Sequence, residues 1–450
     1  MKKYIPILIL LGISVIGILL PSVPKEVLTD TAASFNKNIN TGDTAWMLVA
    51  TAFVLLMTPG LAYFYGGMVN TKNVISTMLQ SFIAMGVISI IWVTVGFSLA
   101  FGDSFGGFIG DPRTYFMFNN VMDGQPWSLA PTIPLALFAF FQLKFAVITP
   151  ALVTGSMAER IKFRSYILFM ILFSIFVYAP LAHWTWHPDG FLFKLGVLDF
   201  AGGTVVHMSA GWAALAAALY LRRRKNHAES NYLPPANIPY VLLGTGLLWF
   251  GWFGFNAGSA VGSGTLAVSA LACTNTAAAA AGLAWVLFDA ARGKKVSALG
   301  FAIGAVVGLV AITPACGFVT VPQSIFIGAV SAMVSNYLAH IRAERTTLDD
   351  TLDVFPCHGV GGMMGMLMTG IFASHQVNGA VPEGSEGLAY GQTDLFVKHL
   401  IALVAVSAFA FFMSLLILKI TDLIEPLRVS EEDEKVGLDV SQHDEFLVEA

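Results

Sequence analysis

Apolar residues in this chain neither alternate nor keep to one helical face; they come in long unbroken runs. Runs of about 20 predominantly apolar residues, the length a helix needs to cross a hydrocarbon layer, recur between the regions of Val54 and Val406, and eleven of them can be counted. The segments between them hold nearly all of the Arg. Helices are the element to expect, because an open sheet would leave backbone groups unpaired in lipid. The pattern therefore predicts an all-α polytopic membrane protein with eleven transmembrane helices.

Composition supports this, with 56% hydrophobic residues, 12% charged and a mean hydropathy of +0.73 over 450 residues. No soluble core needs that much apolar sequence. The net charge of −4 says little about partners, and part of it sits in Glu431, Glu432, Asp433 and Glu434. The placement of the basic residues is more informative. Lys72 follows the first span, Arg160, Lys162 and Arg164 the third, and Arg222 to Lys225 the fifth, while the alternate loops hold chiefly Arg113 and Lys194. The positive-inside rule then puts the mature N-terminus outside and the C-terminus in the cytoplasm of a cell membrane.

Ahead of the first span, Lys2-Lys3 and the apolar run Tyr4 to Leu20 read as a secretory signal peptide over residues 1–22. An uncleaved signal anchor ending at Pro21-Ser22-Val23-Pro24 is the other reading. A transmembrane domain over 43–424 and a cytoplasmic tail over 425–450 complete the organisation. Cys273, Cys316 and Cys357 have neither metal-binding spacing nor a disulfide framework and read as small buried residues.

A weak repeat runs through the chain. Ile148-Thr149-Pro150-Ala151 recurs as Ile312-Thr313-Pro314-Ala315, and Phe64-Tyr65-Gly66-Gly67 resembles Phe255-Asn256-Ala257-Gly258, each pair five spans apart. An odd offset inverts the second copy across the membrane. The expected arrangement is an inverted 5+5 repeat with one added C-terminal helix.

Two histidines lie deep in apolar spans that this offset relates: His207, with Asp199 upstream, and His358, with Asp353 upstream. An ionisable group at bilayer depth is costly and usually functional. The pair reads as the lining of a path for something small; the plainer alternative is two buried imidazoles bonded to backbone carbonyls. Asp199 and Asp353 read as structural supports that cap their helices, and Asp349 and Asp350 as part of the cytoplasmic exit or its loop.

The string Asp199-Phe200-Ala201-Gly202-Gly203-Thr204-Val205-Val206-His207-Met208-Ser209-Ala210-Gly211 resembles the signature of the ammonium transporter (Amt/Mep/Rh) family, bacterial Amt type. Thr58 to Gly67, Phe141-Gln142, Phe145, Ile148 to Leu152, Trp252 to Ser259 and His358-Gly359-Val360 agree in order, so the likeness runs from about residue 43 to 440. The resemblance implies a homotrimer of eleven-helix protomers, each with its own pore, needing no cofactor. It also implies a tail, Leu427 to Val440, suited to docking a PII signalling protein.

Ammonium is small and strongly hydrated, so a pore either replaces its water shell or removes a proton and passes neutral ammonia through an apolar channel. The apolar spans favour deprotonation. A cation can be collected first by aromatic faces, worth about 0.5–2 kcal/mol per ring, and a hydroxyl; the resemblance assigns this binding role to Phe145, Trp186 and Ser259. From position alone, Phe145 and Trp186 read as well as aromatic residues of the interfacial belt. Phe141 and Phe255 are expected to occlude the pore, Phe141 one turn deeper than Phe145, whereas the family's gate matches Phe145 and Phe255. His207 and His358 would then orient ammonia or relay a proton.

Two departures from the family pattern stand out: Lys144 inside the third span, expected to snorkel or pair across a protomer interface, and His187 after Trp186, a candidate pH-sensitive group. Among function classes, no Ser/His/Asp order, metal motif or nucleotide loop supports an enzyme. Ammonium transport leads, an ammonium sensor with little flux is the alternative, and a carbon dioxide channel is a variant of the first.

Overall fold

The computed structural model describes residues 5–20, 38–225 and 234–447. Among these, nine helices are long and apolar enough to cross a membrane: α2 (Thr41–Met68), α3 (Thr71–Phe101), α4 (Leu135–Met157), α5 (Phe163–Leu195, turning at 187–190), α6 (Gly203–Leu221), α7 (Ile238–Gly258), α8 (Thr265–Ala291), α10 (Val321–Arg345) and α12 (Asp394–Ile424). Two further apolar helices fall short of that length. They are α9 (Ala298–Ile312) and α11 (Gly361–Phe372), the latter entered through a π-helical turn, Phe355–Val360.

The first apolar run forms α1 (Ile5–Leu19), none of whose residues is buried. Lys2-Lys3 and Pro21 to Pro24, on which the leader reading leaned, lie outside the described residues.

Lipid is the solvent that the surface demands. Val404, Phe412 and Leu423 of α12 are 66%, 66% and 79% exposed, an apolar face that water would not leave uncovered. Contacts between helices depend on small residues that let backbones approach. On α7, a Cβ added at Gly244 would meet the backbone of Phe64 at 2.3 Å, and one at Gly251 would meet Met57 at 2.3 Å. Glycine thus seats α7 directly on α2.

α4 is the most enclosed span, with 83% of its apolar window buried. At its first-residue end a long connection, 102–134, folds over the helices and contains a two-stranded hairpin, β1 (Ser104–Phe105) and β2 (Ile109–Gly110). The start of α2 is tied to the same end, with Asn40 N donating to Thr132 O and Ser263 N to Asp43 Oδ1. Here it is called the cup end.

At the other end, charges concentrate. Arg160, wholly buried, donates to Asp349 O at 2.6 Å and to Thr351 Oγ1 at 2.6 Å. Arg224 bridges Asp349 and Glu159, so the loops after α4, α6 and α10 form one ionic cluster. Burial pushes the Asp349 carboxyl up, but the Arg224 hydrogen bonds and the Arg160 charge outweigh it and hold it well below the usual carboxylate range.

The tail contains two short helices, α13 (Glu431–Val436) and α14 (Leu438–His443). It docks on its own chain. Asp439 accepts from Ser76 N at 2.7 Å and Ile75 N at 3.0 Å, and Leu438 N donates to Asn73 Oδ1 at 2.8 Å.

Candidate functional site

Both membrane-depth histidines sit in π-helical turns, His207 in Gly203–Met208 and His358 in Phe355–Val360. Such turns widen a helix locally and recur at functional sites. The two helices meet almost backbone to backbone, because a Cβ at Gly211 would lie 2.1 Å from Gly359 N. One turn away, the imidazoles face each other. His207 Nδ1 and His358 Nδ1 are 3.3 Å apart, the ring centroids 5.4 Å apart, and the residues 1% and 3% exposed.

Two nitrogens at that distance share one hydrogen, so one ring is the Nδ1–H tautomer and the other accepts. The Nε2 atoms are then unlike, one an acceptor and one a donor. His207 Nε2 is buried and has no hydrogen-bond partner among the described residues. Trp252 stacks on His207 at 5.3 Å and is itself anchored by Nε1 donating to Thr313 Oγ1 at 2.9 Å.

A cavity of about 10 Å³ opens on both histidines, walled by apolar side chains such as Leu61, Ile148 and Leu248. A second of the same size continues past His358 toward Met68 and Leu352, sharing Phe64 and Val306 with the first. Each has room for about one water-sized sphere.

Phe255 closes the first cavity toward the cup end, where its ring stacks on Phe145 with centroids 4.1 Å apart and 26° between planes. Beyond it is an open cup of about 140 Å³ lined by Phe145, Trp186, Ser259, Trp127, Phe141 and Gln142, among others. Trp186 meets Phe145 edge-on at 5.8 Å. Ser259 Oγ donates to Phe255 O at 2.8 Å, which spends its proton and leaves its lone pairs free. Phe141 is not the deeper occluder expected. α4 starts at the cup end, so a residue four positions before Phe145 lies nearer the cup, and Phe141 lines it.

Asp199 does cap its helix. Its carboxylate accepts from the backbone N–H of Gly202, Gly203 and Thr204 at 2.7–2.8 Å and from the Thr204 hydroxyl, and its carbonyl holds Trp186 Nε1 at 3.0 Å. The same residue therefore orients the start of the His207 turn and one wall of the cup. On the other helix the roles divide. Asp350 Oδ2 accepts from Phe355 N at 2.7 Å, while Asp353, at φ 55°, turns its carboxylate to Arg342 Nε at 2.6 Å.

Lys144 reaches back along its helix to lie 5.9 Å from the Phe140 ring centroid. His187 accepts from Asp189 N at 3.0 Å and stacks on His183 at 4.3 Å, behind Trp127 of the cup wall. The three cysteines are free and buried.

A multi-span helical protein with a cup, an aromatic closure, a buried imidazole pair and a further cavity in succession has the build of a membrane channel or carrier for a very small solute. Residues 45–448 match the Ammonium Transporter Family, and the chain belongs to it. It is 45% identical to a putative ammonium transporter of Methanothermobacter thermautotrophicus, over 90% of this chain and 98% of that one. An ammonium transporter of Bacillus subtilis is 43% identical at the same coverage. Among solved structures it is similar to Saccharomyces cerevisiae Mep2, with a TM-score of 0.83, 33% identity and 91% and 92% of the two chains covered. A structure titled Sensor Amt Protein matches at 0.81 and 30%, covering 89% and 98%.

Proposed function

We propose that this chain transports ammonium across a cell membrane, with eleven spans in an inverted repeat and the cup facing outward. The observation that carries this reading is the order of the site: aromatic cup, Phe145–Phe255 closure, and a His207–His358 pair beside a cavity about one water in size. A cavity that small and apolar suits neutral ammonia and penalises a bare cation.

Ammonium is held in the cup against the Phe145 and Trp186 rings and the Ser259 oxygen. It then gives up a proton to solvent water at the open cup, and ammonia passes the stacked rings when they part. At the histidines it meets one Nε2 acceptor and one Nε2–H donor. A proton taken up at the acceptor Nε2, with the shared hydrogen passing between the two Nδ1 atoms and a proton released from the other Nε2, exchanges those roles and leaves both rings neutral, so the pair can relay a proton as well as orient ammonia. The active form is a homotrimer with one path per protomer, and the tail end is cytoplasmic, where a PII signalling protein can dock.

Likeness to a protein titled Sensor Amt Protein supports a second reading, an ammonium sensor with little flux. Electrical current and internal pH in proteoliposomes given an ammonium gradient separate the two. Transport requires an ammonium-dependent signal that an equal sodium gradient does not give; its absence from a folded, correctly assembled protein leaves the sensor.

A further inference from the structure

Beside Ser259, the cup contains a second polar side chain that accepts hydrogen bonds. Gln142 lines it, three residues before Phe145 on α4 and so on the same helical face. It is 8% exposed, and its Oε1 is buried without a hydrogen-bond partner among the described residues. An amide placed so, between Phe141 and the Leu143 to Phe145 turn, is costly unless something arrives to complete it. A packing role would be filled better by leucine, which has nearly the same volume and no polar atoms to strand.

We propose that Gln142 is a substrate-positioning residue of the cup, whose side-chain carbonyl accepts an N–H of the incoming ammonium. The chemistry of the other walls makes the need specific. Ammonium presents four N–H donors and no acceptor. The rings of Phe145 and Trp186 attract its charge, but among the side chains given this task only the Ser259 oxygen, with its own proton bonded to Phe255 O, accepts a directed bond. A second acceptor is required to hold the tetrahedral ion in one orientation. Turning the last side-chain torsion of Gln142 by 180° exchanges oxygen and nitrogen at almost the same positions, so the carbonyl can face the ion without moving the helix. Because it is uncharged, the amide adds no fixed negative charge that would hold the cation and oppose its deprotonation.

This inference rests on the transport reading, and the experiment separates the two. Ammonium-driven current is measured against ammonium chloride concentration in proteoliposomes of the full-length wild type, Gln142→Leu and Gln142→Glu. Losing one hydrogen bond to a charged group should raise the half-saturating concentration of Gln142→Leu about tenfold, with maximal current within about twofold of wild type. Gln142→Glu keeps an acceptor and adds charge, so it should saturate at lower ammonium than wild type and turn over more slowly. A packing role would move neither half-saturation in these directions. Wild-type half-saturation in a folded Gln142→Leu overturns the proposal. If that variant does not fold, unchanged half-saturation in Gln142→Glu overturns it instead. A wild-type protein with no ammonium current would remove the transport reading itself, whatever the variants do.

Discussion

The Nδ1 atoms of His207 and His358 face each other at 3.3 Å across the contact of two helices whose glycines, Gly211 and Gly359, leave no room for a Cβ. The distance fixes the tautomers as unlike, and the glycines fix the distance. What the pair does to a passing molecule is therefore set by backbone packing as much as by the imidazoles.

Replacing both histidines with leucine should abolish proton-coupled current, by about 100-fold or more for loss of a positioned proton carrier, while the protein stays folded. Currents in proteoliposomes, with size-exclusion profiles as the control, decide this. An undiminished ammonium current in the double variant would sink the relay.

Gly211→Ala should be far worse than an ordinary glycine-to-alanine change. Its Cβ would lie 2.1 Å from Gly359 N, and forcing such a core costs about 1–3 kcal/mol or more. Gly86→Ala on α3 meets nothing within 4 Å and should hold or gain stability by about 0.5–1 kcal/mol, since alanine favours a helix. Thermal unfolding in detergent compares the two variants directly.

Asp199→Ala strands three backbone N–H groups and a hydroxyl that now share one carboxylate. At about 1–3 kcal/mol for a buried unpaired group, the expected result is a sharp fall in folded yield. Asp199→Asn keeps an acceptor oxygen and should lose less. Equal unfolding midpoints for wild type and Asp199→Ala would show that the cap contributes nothing.

Much of this site was legible in sequence, and the residues show why. A histidine within an apolar run stands out because membrane burial makes it costly, and the Asp199 to Gly211 string is long enough to mark the family. The π-helical turns carry no such mark, since GTVVHM and FPCHGV, aligned on their histidines, share no other residue. In sequence Asp353 reads as the cap and Asp350 as part of the exit or its loop; it is Asp350 that accepts from Phe355 N, and the positive φ at Asp353 that turns its carboxylate away to Arg342 is something no spacing reveals. Phe141 was misplaced in depth because its place one turn before Phe145 was not combined with the direction of the span, which Arg160, Lys162 and Arg164 after it already indicated. Gln142 sat in the matching motif, but its stranded oxygen became visible only once the cup had walls.

Acid should weaken the tail end first. The folded state holds the Asp349 carboxyl below its unfolded value of about 4, so its contribution to stability is complete above that pH and is lost as pH falls below it. The unfolding midpoint should be flat from pH 7 to about pH 5 and then drop. Asp349→Asn should start lower, because it leaves Arg160 and Arg224 without their shared anion, and should fall less steeply in acid. Parallel curves for the two proteins would refute the assignment.

Within the single chain the tail has anchors of its own. Asp439 binds the first amides of the α3 helix, a position where a carboxylate also meets the favourable end of the helix dipole. Lys72 Nζ donates to Glu434 O at 3.1 Å, and Arg428 joins Glu434 to the carbonyls of Leu221 and Arg223. Gly437, at φ 106°, packs so close to Lys72 that a Cβ would sit 2.6 Å from its carbonyl oxygen. Asp439→Ala removes two hydrogen bonds to a charged acceptor, worth about 1.5–3 kcal/mol each, and should release α14 while leaving the spans intact. Protease should then cut within residues 428–447 at least tenfold faster than in wild type, with no change in the unfolding of the membrane part. If cleavage rates match, these intrachain bonds do not hold the tail, and contacts from another subunit must do so.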